Sequence, residues 1–209
     1  MSTADTEFVV HSIARTVVDH EKDFGELDAA AGDGDFGYSL ARGFEVVISD
    51  WDSYDRDDPS TFIKKVAQTL TKKIGGTSGP IWGTAFLRAA KTAEGHESLD
   101  GASVVEMLRA AVTGIQERGK AELGDKTLID AIVPGTDALE SAVQDGSSGA
   151  DAAKAFAEAA RKAAEETTEL QARRGRASYT GERSKGSPDA GAMAVAIIAE
   201  ELTERWSQR

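Results

Sequence analysis

The chain has no cysteine, which excludes disulfides, thiolate zinc sites and cysteine nucleophiles and leaves oxygen ligands or the three histidines for any metal. Strand patterns are nearly absent: β-branched residues scarcely alternate at period two, whereas apolar residues recur at helical spacing almost throughout. Basic residues are in deficit, 24 against 36 acidic, for a net charge of -12. A surface of that sign repels phosphate backbones and argues against a nucleic-acid partner. No run of 18 apolar residues exists, so no membrane span is expected. The opening "MSTADTEFVV" is acidic rather than basic, which argues against a signal peptide and makes the cytoplasm the default location.

What is present is enough for one core. Hydrophobic residues make up 40% of 209 positions, and neither an internal repeat nor a long linker divides the chain, so residues 1–209 are expected to form a single all-α domain. Eight helices are expected. The first covers about Ala4 to Lys22, the second Tyr38 to Trp51, and the third runs from Pro59 to Ile74. The fourth covers Pro80 to Thr92, and the fifth opens at Ser103, where Glu106 stands at capping-box spacing. The sixth, Thr127 to Val143, is expected to kink near Pro134. The last two are Ala152 to Gln171 and Ala190 to Trp206. Short connections imply antiparallel neighbours, so alternate loops gather at one end of the bundle.

Three of those alternate loops carry unusual residues, and a fourth segment of interest lies between them. In "LDAAAGDGDFGYSLARG" (Leu27 to Gly43), Asp28, Asp33 and Asp35 crowd around Gly32, Gly34 and Gly37. Like charges so close repel unless a cation compensates, and hard carboxylate oxygens favour magnesium. The spacing fails the EF-hand template, because position twelve of such a loop is Phe44; an ordinary glycine-rich turn stays open as a reading. In "KKIGGTSGPIWGT" (Lys72 to Thr84), Gly75, Gly76, Thr77, Ser78 and Gly79 lead into a helix, the arrangement of an anion site at unpaired backbone NH groups. It lacks the lysine and hydroxyl of a P-loop and also reads as a plain helix stop and start. "GRASYTGERSKGSPDAGA" (Gly175 to Ala192) is basic in an acidic chain, with Arg176, Arg183 and Lys185, and is either a solvated loop or a phosphate clamp. In "GDKTLID" (Gly124 to Asp130), Thr127 could donate to a nucleotide, and Leu128 could cover a base or fill the core with Ile129.

At these four segments the sequence resembles the nucleotide-binding L subunit, or L domain, of the dihydroxyacetone kinases. The motifs of that family read approximately LDxxxGDGDHGxNMxRG, GGxSGxLYGT, GDKTMxD and GRASYxGERSxGxxDPGA. The resemblance implies an antiparallel eight-helix up-and-down barrel with ADP or ATP in the loops of one end and two magnesium ions between aspartates and phosphates. Carried over by residue, Asp28, Asp33 and Asp35 become the magnesium ligands, Ser78 and Gly79 the phosphate-loop contacts, Thr127 and Leu128 neighbours of the adenine side, and Arg176 the phosphate-side clamp. Gly34, Ser39, Gly76, Thr77 and Asp189 complete the nucleotide-binding set. The chain departs from the family pattern at Phe36, which replaces a histidine, and at Ser39, Leu40 and Ala190. His11, His20 and His96 match no motif and read as surface residues.

The activity implied is phosphoryl transfer to dihydroxyacetone or a related short keto-sugar held by a separate K-type subunit, the donor being free ATP or a phosphotransferase-system M-type protein that rephosphorylates bound ADP. Docking to the K-type subunit is expected around Phe36, Arg183 and Lys185, and a homo-oligomer is compatible with the sequence. Two other readings stay open: a nucleotide-dependent regulatory module, and the nucleotide domain of a fatty-acid-kinase-like system, whose further domains are missing here.

Overall fold

Short polar residues set the helix starts. In the computed structural model, which describes residues 1–209, α1 (Thr3–Asp19) begins behind Ser2 in a reciprocal capping box with Asp5. Asp58 caps α4 (Pro59–Lys73), Asp100 caps α6 (Gly101–Gly119), and Ser148 caps α8 (Gly149–Glu166). Each such cap satisfies an otherwise orphaned NH and contributes about 1 kcal/mol. The remaining helices are α2 (Glu21–Ala29), α3 (Phe36–Ser49), α5 (Ser78–Thr92), α7 (Ile129–Gln144) and α9 (Ala190–Ser207), with 3-10 turns at Trp51–Ser53, Thr167–Glu169 and Arg176–Ser184. No helix is long and apolar enough to cross a membrane.

Sequential helices pack as neighbours, α1 on α3 and onward through α4, α5, α6, α7 and α8 to α9, and α9 closes on α1 to complete a ring of eight long helices. The expected antiparallel barrel is therefore the observed one, with the nine-residue α2 added between α1 and α3. One end of the ring carries the chain start: Met1 and Leu99 exchange backbone hydrogen bonds there, and Arg209 reaches Asp5. The connections 30–35, 74–77, 120–128 and 167–189 fall at the opposite end. The ring interior is apolar and uneven. Large side chains from the first half (Phe24, Leu40, Phe44, Phe62, Leu70) face alanines of α8 and α9 such as Ala160, Ala164, Ala194 and Ala196. Those alanines let the α8 and α9 backbones approach closely where the opposite wall supplies the bulk.

Three boundaries differ from the sequence expectation, each for a local reason. The first helix stops at Asp19 because His20 leaves helical geometry (φ -101, ψ 19), and α2 restarts to bury Phe24. Asp100, not Ser103, caps α6; Ser103 sits in the first turn and donates its NH and hydroxyl to Asp100. The alanine-rich α8 ends at Glu166 rather than Gln171, since the buried Thr167 hydroxyl donates to Ala164 O and accepts the Asp189 NH, turning the chain. Pro134 lies inside α7 where the sequence places it, and its missing NH leaves the Asp130 carbonyl without the usual intrahelical donor.

Gly37 makes the junction of α2 and α3. A Cβ there would overlap the Glu21 carbonyl and lie 2.6 Å from Gly25 N, both backbone atoms that cannot swing aside. Gly37→Ala is expected to cost about 1–3 kcal/mol through overpacking. Gly149→Ala, at an open position in the first turn of α8, is expected to be neutral or to stabilise by about 0.4–1 kcal/mol. Urea midpoints of the two variants check this pair; a Gly37→Ala midpoint equal to wild type contradicts the close-packing argument.

Candidate functional site

The four connections at the far end converge on one another. Asp28 stands in the last turn of α2, Asp33 and Asp35 in the loop that follows, and one carboxylate oxygen of each lies within 4.8 Å of the others. The loop folds tightly over Asp28. A Cβ on Gly32 would come 2.8 Å from the Asp28 carboxyl carbon, and Gly34 turns the chain at φ +76. Asp28 also accepts from Phe36 NH (3.4 Å), tying the cluster to the start of α3. The negative end of the α2 dipole adds to the carboxylate field. From the α8–α9 connection, Arg176 pairs with Asp33 and with Asp35, the latter at 3.1 Å. A cation therefore sits among these carboxylates already. The donor set is all oxygen and partly exposed, which fits a hard divalent cation such as magnesium.

The second loop lies beside the first. Ser39, in the first turn of α3, is the nearest neighbour to the open side of Gly75, at 3.4 Å from where a Cβ would be. Gly75, Gly76 and Thr77 are exposed, and Gly76 has φ +62 with open space around it. Helix α5 then starts behind Thr77 with no side-chain cap. Its first NH groups, from Ser78 and Gly79, are free to point at a ligand, because intrahelical bonding begins only later in the turn. A Cβ on Gly79 would collide with the Ile74 carbonyl, so only glycine lets α5 start this close to the end of α4. The helices that begin at the other end are capped by their own side chains, whereas α3, α5 and α7 are not. Helix α9 is the exception at this end, capped by Asp189.

The third loop is built around three consecutive polar residues. Asp125 is buried and bound to Arg174 (2.9 Å), and its carbonyl accepts from Arg173 NH. Burial alone would raise its pKa, but the backbone NH of Glu122 and the arginine hold it below the usual carboxylate range. Lys126 is 3% exposed, and its ammonium donates to three carbonyls, those of Leu170, Ser184 and Ser187. Thr127 NH is taken by Asp130 and its hydroxyl oxygen accepts from Ile129 NH, so what Thr127 has left to donate is its hydroxyl hydrogen. Leu128 packs partly into the core and against Gly191.

Asp189 is separated from the carboxylate cluster in role: it accepts from Ala192 NH (2.8 Å) as the cap of α9. Although the residue keeps partial exposure, its carboxyl is densely surrounded by protein. Burial, with Asp130 adding repulsion, pushes it up to about 7. Phe36, which replaces the family histidine, is partly buried against the core, 6.3 Å from the Phe24 ring. The exposed aromatic of that loop is Tyr38, two residues on and 55% exposed, and it was not marked by the sequence motif. Tyr179 (90% exposed) and Leu123 also stand at this end. Arg183 and Lys185 are exposed, Lys185 paired with Glu182. His11 and His96 are exposed as expected, while His20 is half-buried against Phe24 and Asp23, away from the cluster.

A hollow of about 720 Å³ lies elsewhere, between α2, α8 and α9. Asp23, Glu26, Glu200, Glu201 and Glu204 line it, a field that repels phosphate, so it does not compete for the anion-binding role.

Residues 30–204 match the DAK2 domain family. The ADP-binding subunit of the PEP-dependent dihydroxyacetone kinase of Escherichia coli (strain K12) is 39% identical over 176 residues, 84% of each chain. The L-erythrulose 1-kinase of Mycolicibacterium smegmatis is 35% identical over 202 residues, which are 96% of this chain but 35% of that longer enzyme. The crystal structure of the C. freundii dihydroxyacetone kinase in complex with AMP-PNP and Mg2+ superposes with a TM-score of 0.77 at 26% identity, over 98% of this chain and 34% of that one. With its all-helical ring and most of its length matched, the chain belongs to the DAK2 domain family.

Proposed function

We propose that residues 1–209 form one nucleotide-binding kinase subunit, which carries ADP or ATP with magnesium and passes a phosphoryl group to a short hydroxyketone held by a separate K-type protein. The observation that carries the reading is the set of three carboxylates within 4.8 Å, facing an arginine and adjoining an uncapped helix start. Few functions other than holding a polyphosphate and its counter-cations call for acidic, basic and free-NH groups on one small surface. The names of the relatives, a dihydroxyacetone kinase subunit and an erythrulose kinase, support the substrate class: both sugars present a hydroxymethyl group next to a ketone.

In this reading Asp28, Asp33 and Asp35 would hold two magnesium ions, which would neutralise phosphate charge when bound. Backbone NH groups of Ser78 and Gly79 receive phosphate oxygens, with Gly34, Ser39, Gly76 and Thr77 allowing close approach. Thr127 and Leu128 border the adenine. Asp189 contributes from behind, by fixing the start of α9 against this loop. Arg176 moves its charge from the carboxylates to the phosphates. Phosphoryl transfer depends on positioning and charge stabilisation more than on covalent help, so a site made of fixed NH groups and charges suffices. No group here is placed to bind the sugar, which is why a partner must bring it, whether the donor is free ATP or an M-type phosphoprotein acting on bound ADP. The partner docks on the loop end, over Tyr38, Tyr179 and the exposed Arg183 and Lys185; Phe36, being packed inward, supports that surface from beneath.

Asp33→Asn and Asp35→Asn are expected to weaken ADP binding in magnesium at least tenfold with an unchanged helical circular dichroism spectrum. Isothermal calorimetry measures it, and wild-type affinity in both variants removes the carboxylates from the site. ADP with magnesium is expected to raise the Tm by mass action, and EDTA to abolish the gain; a shift of equal size in EDTA contradicts a metal-borne nucleotide. Phosphorylation of dihydroxyacetone is expected only when a K-type subunit is added. Arg183→Glu is expected to lower that coupled turnover severalfold while ADP affinity of the isolated chain stays within twofold. Efficient phosphorylation by this chain alone would move the sugar site into the ring.

A further inference from the structure

We propose that Lys126 is a positioning residue, a buried latch that fastens the strap 170–187 to the α6–α7 connection and so aims Arg176 at the Asp33 and Asp35 side of the site. The inference rests on the nucleotide reading for its purpose but on separate atoms for its existence.

Lys126 is an unusual lysine in three respects. It is 3% exposed, where lysine is almost never fully buried unless its charge is compensated. Its φ of +63 lies in the left-handed region, which a side chain other than glycine accepts only when its surroundings over-determine it. Its three donors are used completely: Leu170 O at 3.1 Å, Ser184 O at 2.6 Å and Ser187 O at 2.7 Å. Those acceptors come from both legs of the strap, one before and two after its tip. A second fastening runs in parallel, because Asp125 holds Arg174 through its carboxylate and Arg173 through its carbonyl. The legs are also tied to each other, Ala172 NH donating to the Ser184 hydroxyl and Gly186 NH to Thr168 O.

Arg176 projects from the tip of this stapled strap, half exposed and without a backbone hydrogen bond of its own to the rest of the ring. Its direction is therefore inherited from the legs. A compact ammonium with three rotatable donors can meet three converging carbonyls, which the flat fork of an arginine cannot do. Burial pulls the ammonium's pKa below the usual lysine range, and the charges of Asp189 and Glu169 oppose that shift in part.

The test uses the full chain. In Lys126→Met, trypsin cleavage of the ligand-free protein at Arg173, Arg174, Arg176, Arg183 and Lys185 is expected to quicken at least tenfold, with the circular dichroism spectrum retained. The Kd for ADP in magnesium is expected to rise about tenfold, as it also does in Arg176→Ala. The double variant is expected to lose no more than Arg176→Ala alone, because one residue acts through the other and their effects do not add. Lys126→Arg is expected to behave as Lys126→Met. Unchanged strap cleavage, or a full hundredfold loss in the double variant, overturns the latch. Should Lys126→Met fail to fold, Arg174→Ala, at a partly exposed site on the same strap, carries the test, with faster strap cleavage supporting the fastening and wild-type cleavage opposing it. If strap cleavage quickens but no form of the chain binds ADP, the latch stands and the nucleotide reading falls.

Discussion

Three carboxylates within 4.8 Å of one another, at the negative end of a helix dipole, cannot be held there by packing alone. They need a cation, and much of the loop end answers that need. Arg176 is brought across from the α8–α9 connection to sit among them. The strap that carries Arg176 is fastened at both legs, and the fastening buries a lysine that must in turn find three carbonyls. The repulsion at one loop thus shapes the backbone of two others.

The ring supplies what the cluster could not supply for itself, a fixed relation between distant segments. Closing α9 on α1 leaves no free edge, and short connections place 30–35, 74–77, 120–128 and 167–189 on one face. The two ends are finished differently. Helices starting away from the site spend a serine or aspartate on capping themselves, whereas α5 starts with no side-chain cap and the first NH of α3 goes to Asp28. That contrast follows from the same rule at both ends: an orphaned NH must have a partner, and where no side chain provides one a ligand or water does.

The glycines of the site divide by physical cause. Gly34 and Gly76 are needed for backbone dihedrals that open the loops toward solvent, whereas Gly37 and Gly79 are needed because another backbone lies against them. The second pair sets how closely neighbouring backbones approach, and so where the two loops stand. Charge is divided in a similar way. The hollow between α2, α8 and α9 is acidic and open, whereas the strap is a basic stretch within a protein of net negative charge.

Helical periodicity by itself determined that the chain is all-α, and nearly where seven of the eight long helices run, because an apolar stripe every three or four residues can be buried in only one way. The acidic loop, the glycine-hydroxyl helix start and the basic strap were legible too, since each departs from the local composition. The sequence missed α2, whose nine residues bury only Phe24 and give no stripe to read. It marked Phe36 as a departure beside the metal loop but not its orientation, which the packing of α2 on α3 decides by turning the ring toward Phe24. It marked "GDK" as a motif but gave no reason for the lysine, since the three carbonyls that hold it lie 44 to 61 residues away. Local pattern specifies elements; the pairing of Arg176 with Asp33 and of Lys126 with the strap exists only once ring closure has set those elements side by side.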